Sequence, residues 1–257
     1  MTSLTDGSDI FTEETFRSVV EHLLADMGRS HVEHIDLRIG PSTGRWRWMR
    51  SAADGIDIFR DRLAECDGLS MAFLAGINMT KTEAQLDEIF DVLGAGGDLT
   101  ASIAGIDINF LSRDLSKFDR YLNTLRSLQA GGLKVNIHLG ELFGNEISRY
   151  VLHRITPDRI GHGVLLLDDP ELVEIIKGRD ICLDMCPTSN VLLGVADWNR
   201  SSPASRALQL GIPVSINTDD PVLFDTDIGR ELALAGLNSR QLDQVIANGR
   251  KYRHGRG

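Results

Sequence analysis

Seven short runs of β-forming residues, each followed by a stretch with helical periodicity, leave few folds open to this chain. The runs lie at 32–39, 69–77, 100–108, 133–139, 159–164, 180–186 and 212–218. Alternation of this kind implies parallel strands with helical crossovers, because parallel neighbours cannot be joined by a tight hairpin. No Pro/Gly/Ser linker or low-complexity tract interrupts the series, which predicts a single domain over residues 1–257. With 257 residues and 42% hydrophobic side chains, the chain can bury a core of (β/α)-barrel size. A closed barrel of that type has about eight strands. The predicted fold is therefore an α/β, TIM-like (β/α) barrel that is incomplete, with seven recognisable strands. An amphipathic helix precedes them, carrying Phe16, Val19, Val20, Leu23, Leu24 and Met27 at helical spacing between an N-cap at Thr12 and Gly28.

Side chains alternate across a strand, so parity says which residues face the barrel interior. With Ile35, Leu37 and Ile39 turned to the helices, His34, Asp36 and Arg38 point inward. The same reading turns Asp107 and Asn109, Asn136 and His138, Asp184, and Asn217 and Asp219 inward. Most stand at the carboxyl ends of their strands, where barrel enzymes carry their active sites. Any one alone reads as a cap or a satisfied core group. As a group they need more, since interior carboxylates and imidazoles are costly unless paired or bound to something.

Charge narrows the partners. A formal net charge of −10 opposes nucleic-acid binding through the overall field, and a small-molecule substrate is expected instead. No apolar run approaches the roughly 18 residues a membrane span needs, and the polar, acidic start is unlike a secretion signal. Cys66, Cys182 and Cys186 form no CxxC pair and are too few for a disulfide framework, which points to the cytoplasm. Cys182 and Cys186 share a parity and read as small core residues. His22, His153 and His254 fall on helices or the tail and read as solvated.

Four segments name a chemistry: His138-Leu139-Gly140-Glu141, Arg159-Ile160-Gly161-His162-Gly163, Cys186-Pro187-Thr188-Ser189-Asn190, and Asn217-Thr218-Asp219-Asp220-Pro221. In this order, on consecutive strand ends, they resemble the adenosine deaminase family of metal-dependent amidohydrolases. The resemblance runs from about residue 32 to 225 and takes in Ile35-Asp36-Leu37-Arg38 and Gly105-Ile106-Asp107. It implies hydrolytic deamination of a purine-like or other small nitrogen heterocycle. By the same resemblance, His138 and Asp219 would be ligands of a Zn²⁺ that lowers the pKa of its bound water to about 7. Glu141 would protonate the ring nitrogen, His162 would orient or deprotonate the water, and Asp220 would hold a substrate nitrogen. Asp107 and Asn109 would line the substrate site.

Three departures follow. The family's first strand carries a His-x-His pair that supplies two metal ligands, and this chain has none. Asn109-Phe110-Leu111 stands where the family has a small Gly-containing turn that lets backbone approach the purine, which argues for a substrate other than adenosine. Arg45-Trp46-Arg47-Trp48-Met49-Arg50 follows the first run; it reads either as a basic turn packed through its tryptophans or as a clamp in which Arg45 and Arg47 hold an anionic or aromatic substrate. Two other functions stay open: a metal-independent acid/base enzyme on the same scaffold, and a non-catalytic binding homologue. Seven strands also leave a barrel edge open, to be covered by a homo-oligomer or a partner chain. Met1 to Phe11 are too polar for a central strand.

Overall fold

A computed structural model describes residues 11–42, 44, 46–198 and 200–255. One parallel sheet runs in sequence order through β1 (His34–Ile39), β2 (Ser70–Asn78), β3 (Gly105–Asn109), β4 (Lys134–Leu139), β5 (Arg159–His162), β6 (Cys182–Met185) and β7 (Val214–Ile216). The helices are α1 (Glu13–Arg29), α2 (Ala52–Leu63), α3 (Glu83–Gly94), α4 (Asp98–Ser102), α5 (Ser116–Ala130), α6 (Asn145–Leu152), α7 (Pro170–Gly178), α8 (Pro187–Leu192), α9 (Pro203–Gln209), α10 (Ile228–Leu234) and α11 (Ser239–Tyr252). Neither β7 nor β1 has a second strand neighbour among the described residues, so the expected incomplete barrel is what forms.

The sheet is strongly curled. Strands lie about 4.8 Å apart, so β1 and β5 would stand about 19 Å apart if flat. Yet Arg159 Nη1 on β5 donates to Asp36 Oδ2 on β1 at 2.6 Å. The outward residues Ile106, Ile108, Val135, Ile137, Ile160 and Leu183 are fully buried beneath the helices, as parity required.

Most strand boundaries fall within two residues of the expected runs, and two of the shifts have a visible cause. The third run begins at Gly105 rather than 100, because residues 98–102 form the short helix α4, tied back by Thr100 Oγ1 donating to Leu93 O at 3.0 Å. The sixth stops at Met185, where Pro187 occupies the first turn of α8 and Cys186 is its N-cap. The opening helix is capped by Thr12 as expected and runs to Arg29, one residue past Gly28.

The amino-terminal floor of the barrel is closed by a charge network that local sequence pattern does not reveal. Arg159 is only 4% exposed. Besides Asp36 it donates through Nε to Asp184 Oδ1 at 2.8 Å, through Nη2 to Ser215 Oγ and through Nη1 to the Tyr252 carbonyl. His254 corrects the solvated reading: it is buried, its backbone N–H donates to Asp36 Oδ1 at 3.1 Å, and its Nε2 lies 2.8 Å from Asn136 Oδ1. The segment after α11 thus reaches inside the barrel. Helix α11 also guards the edge strand, since Asn248 Nδ2 donates to Val214 O of β7 at 2.9 Å. Arg250 then pairs with Glu33 beside β1 at 2.8 Å, tying the two margins of the open sheet. No helix among the described residues is long and apolar enough to cross a membrane.

Candidate functional site

The motif residues converge at the carboxyl ends of the strands. His138 is the penultimate residue of β4, Glu141 lies in the turn after it, His162 ends β5 and Asp219 follows β7. Backbone shape explains how His162 enters the site, for it has φ of 64°. Asp219 has φ of 57°. Left-handed backbone at residues other than glycine costs about 1–3 kcal/mol and persists where surroundings demand it. Gly161 makes room beside them: a Cβ there would lie 2.9 Å from His138 Cδ2. Gly140, in the left-handed region itself, would meet Leu166 Cγ at 2.7 Å.

His162 Nε2 lies 3.4 Å from Glu141 Oε1, and its Nδ1 lies 3.1 Å from Asn190 Nδ2. An amide donor at Nδ1 places the proton of a neutral ring on Nε2, facing the carboxyl. The His138 and His162 rings meet edge-on at 5.1 Å. Burial, reinforced by the charge on His138, pushes the His162 imidazole down to about 3, so it is neutral near pH 7. Burial raises the Glu141 carboxyl above its ordinary range, with His138 opposing and Asp219 adding. A raised carboxyl beside a neutral imidazole suits a proton donor.

Asp107 is brought to His138 rather than to an open face. Its Oδ1 lies 2.9 Å from His138 Nε2 and 3.5 Å from Arg38 Nε, an ion-pair contact more than an aligned hydrogen bond. Burial opposes both charges of the Asp107–His138 pair, but their attraction prevails: the carboxyl is held below its usual range and the imidazole above. Asn109 keeps a buried Oδ1 with no partner in the protein, the sort of group a ligand can satisfy. Asp219 Oδ2 accepts from Ser189 Oγ at 2.8 Å. Asp220 is exposed and accepts the Leu223 N–H at 3.0 Å, closing a turn.

A small cleft opens here, lined by Phe110, His138, Glu141, Leu142, Phe143 and neighbours. Phe110 is itself buried and stacked edge-on against Phe118 at 5.6 Å, so it forms a fixed wall. The basic loop is not brought to this cleft. Arg45 lies outside the described residues; Arg47 is exposed and does not line the cleft, while Arg50 pairs with Asp54 at 2.9 Å. Trp46 and Trp48 pack on Phe16. Asn190, to which the four segments gave no role of its own, joins the site through His162, and its place in Cys186-Pro187-Thr188-Ser189-Asn190 was the available signal.

The described side chains do not assemble the family's metal site. His138 and Asp219 fall in different three-donor clusters, His138–Glu141–His162 and His162–Cys186–Asp219, each with ligand atoms within 4.8 Å of one another. The sequence has no His-x-His to complete either.

Fold and site together define a parallel half-barrel of amidohydrolase type. The chain belongs to the adenosine deaminase family, whose model matches residues 5–252, beyond the span the motifs alone suggested. It is similar to an aminodeoxyfutalosine deaminase of Streptomyces coelicolor, 30% identical over 254 residues, covering 93% of this chain and 63% of that protein. An adenine deaminase of Sphingopyxis alaskensis is 30% identical over 237 residues, covering 87% and 67%. The chain thus spans under two thirds of the length of the Streptomyces relative. Among solved structures, an adenine deaminase from Arthrobacter aurescens aligns with a TM-score of 0.80 at 22% identity, covering 97% of this chain and 78% of that one. An amidohydrolase from Burkholderia ambifaria with bound zinc aligns at 0.79 and 22%, covering 97% and 72%. These two establish the fold alone.

Proposed function

We propose that the chain carries the hydrolytic deamination chemistry of its family, on a purine-like amine other than adenosine. The observation that carries this reading is the Glu141–His162 pair, a half-buried, raised carboxyl 3.4 Å from a buried imidazole that its burial keeps neutral. Glu141 in its acid form donates a proton to the ring nitrogen, which makes the amine-bearing carbon electrophilic. His162, fixed through Nδ1 by Asn190, orients the attacking water, and Asp219 accepts a hydrogen bond from it. Asp219 takes one proton from the water as the carbon–oxygen bond forms and passes it to the amine; the carbon–nitrogen bond then breaks, ammonia leaves, and the hydroxyl proton of the collapsing carbon returns Glu141 to its acid form. Asn109 Oδ1 supplies an acceptor for the heterocycle, Phe110 forms one wall, and Asp220 at the mouth holds a further substrate nitrogen. The relatives named for adenine and aminodeoxyfutalosine fit a purine ring not restricted to adenosine.

The test is ammonia release from adenine, adenosine and aminodeoxyfutalosine. At least one non-adenosine substrate should release ammonia, with the release lost in Glu141→Gln. A purified, folded chain that releases none from any of the three contradicts the reading and favours a binding homologue.

A further inference from the structure

The two residues that the family resemblance gives acid/base roles, Glu141 and His162, stand with His138 as a possible metal-ligand set. His138, Glu141 and His162 each present a ligand atom, and all three lie within 4.8 Å of one another. Donors around one zinc sit about 2.0–2.1 Å from it, so atoms this close need only a small contraction to share an ion. Two imidazoles and one carboxylate are a composition that catalytic zinc sites use, with an open position left for water. Both imidazoles are also held by outer partners. Asp107 stands 2.9 Å from His138 Nε2, leaving that ring's other nitrogen, and Asn190 holds His162 Nδ1, leaving Nε2 toward Glu141. Carboxylates and amides in that place fix the ring orientation of metal-bound histidines. Asn190 Oδ1 is buried and without a partner, so a turned amide can accept from Nδ1–H and free Nε2 for a metal.

We propose that this chain binds a divalent transition metal at His138, Glu141 and His162, a site displaced from the one its family resemblance implies, and that Asp219 is not among its ligands. The competing His162–Cys186–Asp219 cluster is disfavoured on independent grounds. Cys186 Sγ is buried and directed at the Asp184 carbonyl at 3.6 Å, and Asp219 is already engaged by Ser189. The displaced site does not depend on the deaminase reading, since it concerns binding alone. One consequence links the two: a metal there occupies Glu141 and withdraws the proton donor, so added metal inhibits.

The test uses the metal-stripped full chain titrated with cobalt(II), followed by visible absorption and by isothermal calorimetry with zinc. One ion per chain is expected. Asp219→Asn should leave affinity within about twofold, Glu141→Gln should lose at least tenfold, and Asp107→Asn, removing an outer partner, should lose about 10- to 100-fold. Glu141→Gln is isosteric and sits in a turn, and circular dichroism melts check that it and Asp107→Asn remain folded. The proposal is overturned if Asp219→Asn abolishes binding while Glu141→Gln retains it, if a thiolate-to-cobalt charge-transfer band lost in Cys186→Ser marks the other cluster, or if the folded wild-type chain takes up no metal. Ammonia release is not read in this experiment, so failure of the metal site and failure of the deaminase reading remain separate results.

Discussion

His138 owes its place to what stands beside it. Gly161 faces its ring so closely that a methyl group there would sit 2.9 Å from Cδ2. Gly161→Ala should tilt the ring away from Asp107 and lower turnover by about 100-fold, the scale of a misplacement near 1 Å, while the melting temperature shifts little. Normal turnover in that variant would show that the ring's position is not demanding. Glu141→Gln should cost about 10²- to 10⁴-fold, the usual worth of a positioned proton donor. Residue types made these side chains legible: a Glu, two His and an Asp at strand ends have no cheap structural explanation. Arg159 and His254 were not legible in the same way, because their partner Asp36 is 123 and 218 residues distant and no local period marks such pairs.

At the scale of elements, the seven strands were readable from β-branched runs bounded by turns, and parity correctly sorted Asp107 and His138 from Ile106 and Ile108. Parity missed His162, which lies on the other phase of β5 from Arg159 and reaches the site only through its left-handed backbone. The strand margins are held by α11 and the segment after it, and this makes the floor network a stability element. Asp36→Asn removes one carboxylate from buried Arg159 and should cost about 3–5 kcal/mol, as for breaking a buried pair. Urea unfolding measures this, and a loss below about 1 kcal/mol would mean that Asp184 alone suffices. The same floor has a pH signature. Burial pushes the His254 imidazole below its ordinary value despite the opposing pull of Asp36. The unfolded chain therefore takes up a proton near pH 6.5 that the folded chain refuses, and stability falls as pH drops below about 6.5. Asp36, itself held low, contributes an acid loss only below about pH 3.9. His254→Asn should consequently lose less stability than wild type between about pH 7.5 and 5.5. Parallel losses in the two proteins would show that His254 protonates freely in the fold.

The whole molecule presents an open barrel with an apolar rim. Leu192 and Leu193 at the end of α8, and Val222 and Leu223 in the segment after β7, are exposed, Val222 at 89%. Exposed apolar surface of that kind beside an incompletely paired sheet favours association. Light scattering after size exclusion should give a mass above one chain that falls to one chain in Leu193→Asp/Val222→Asp; a concentration-independent monomer contradicts this. The open edge itself was legible from the strand count, whereas its partial cover by Asn248 and the Arg250–Glu33 pair was not, since helix periodicity says nothing of what a helix end touches. The proposed reaction, with Glu141 as proton donor, adds water to a purine-type carbon and expels ammonia. Mass spectrometry of the product formed from adenine or aminodeoxyfutalosine in heavy-oxygen water tests it most directly. A single solvent oxygen is expected at the carbon that bore the amine, with its incorporation slowed about 10²- to 10⁴-fold in Glu141→Gln; unlabelled product, or undiminished labelling in that variant, would contradict this chemistry.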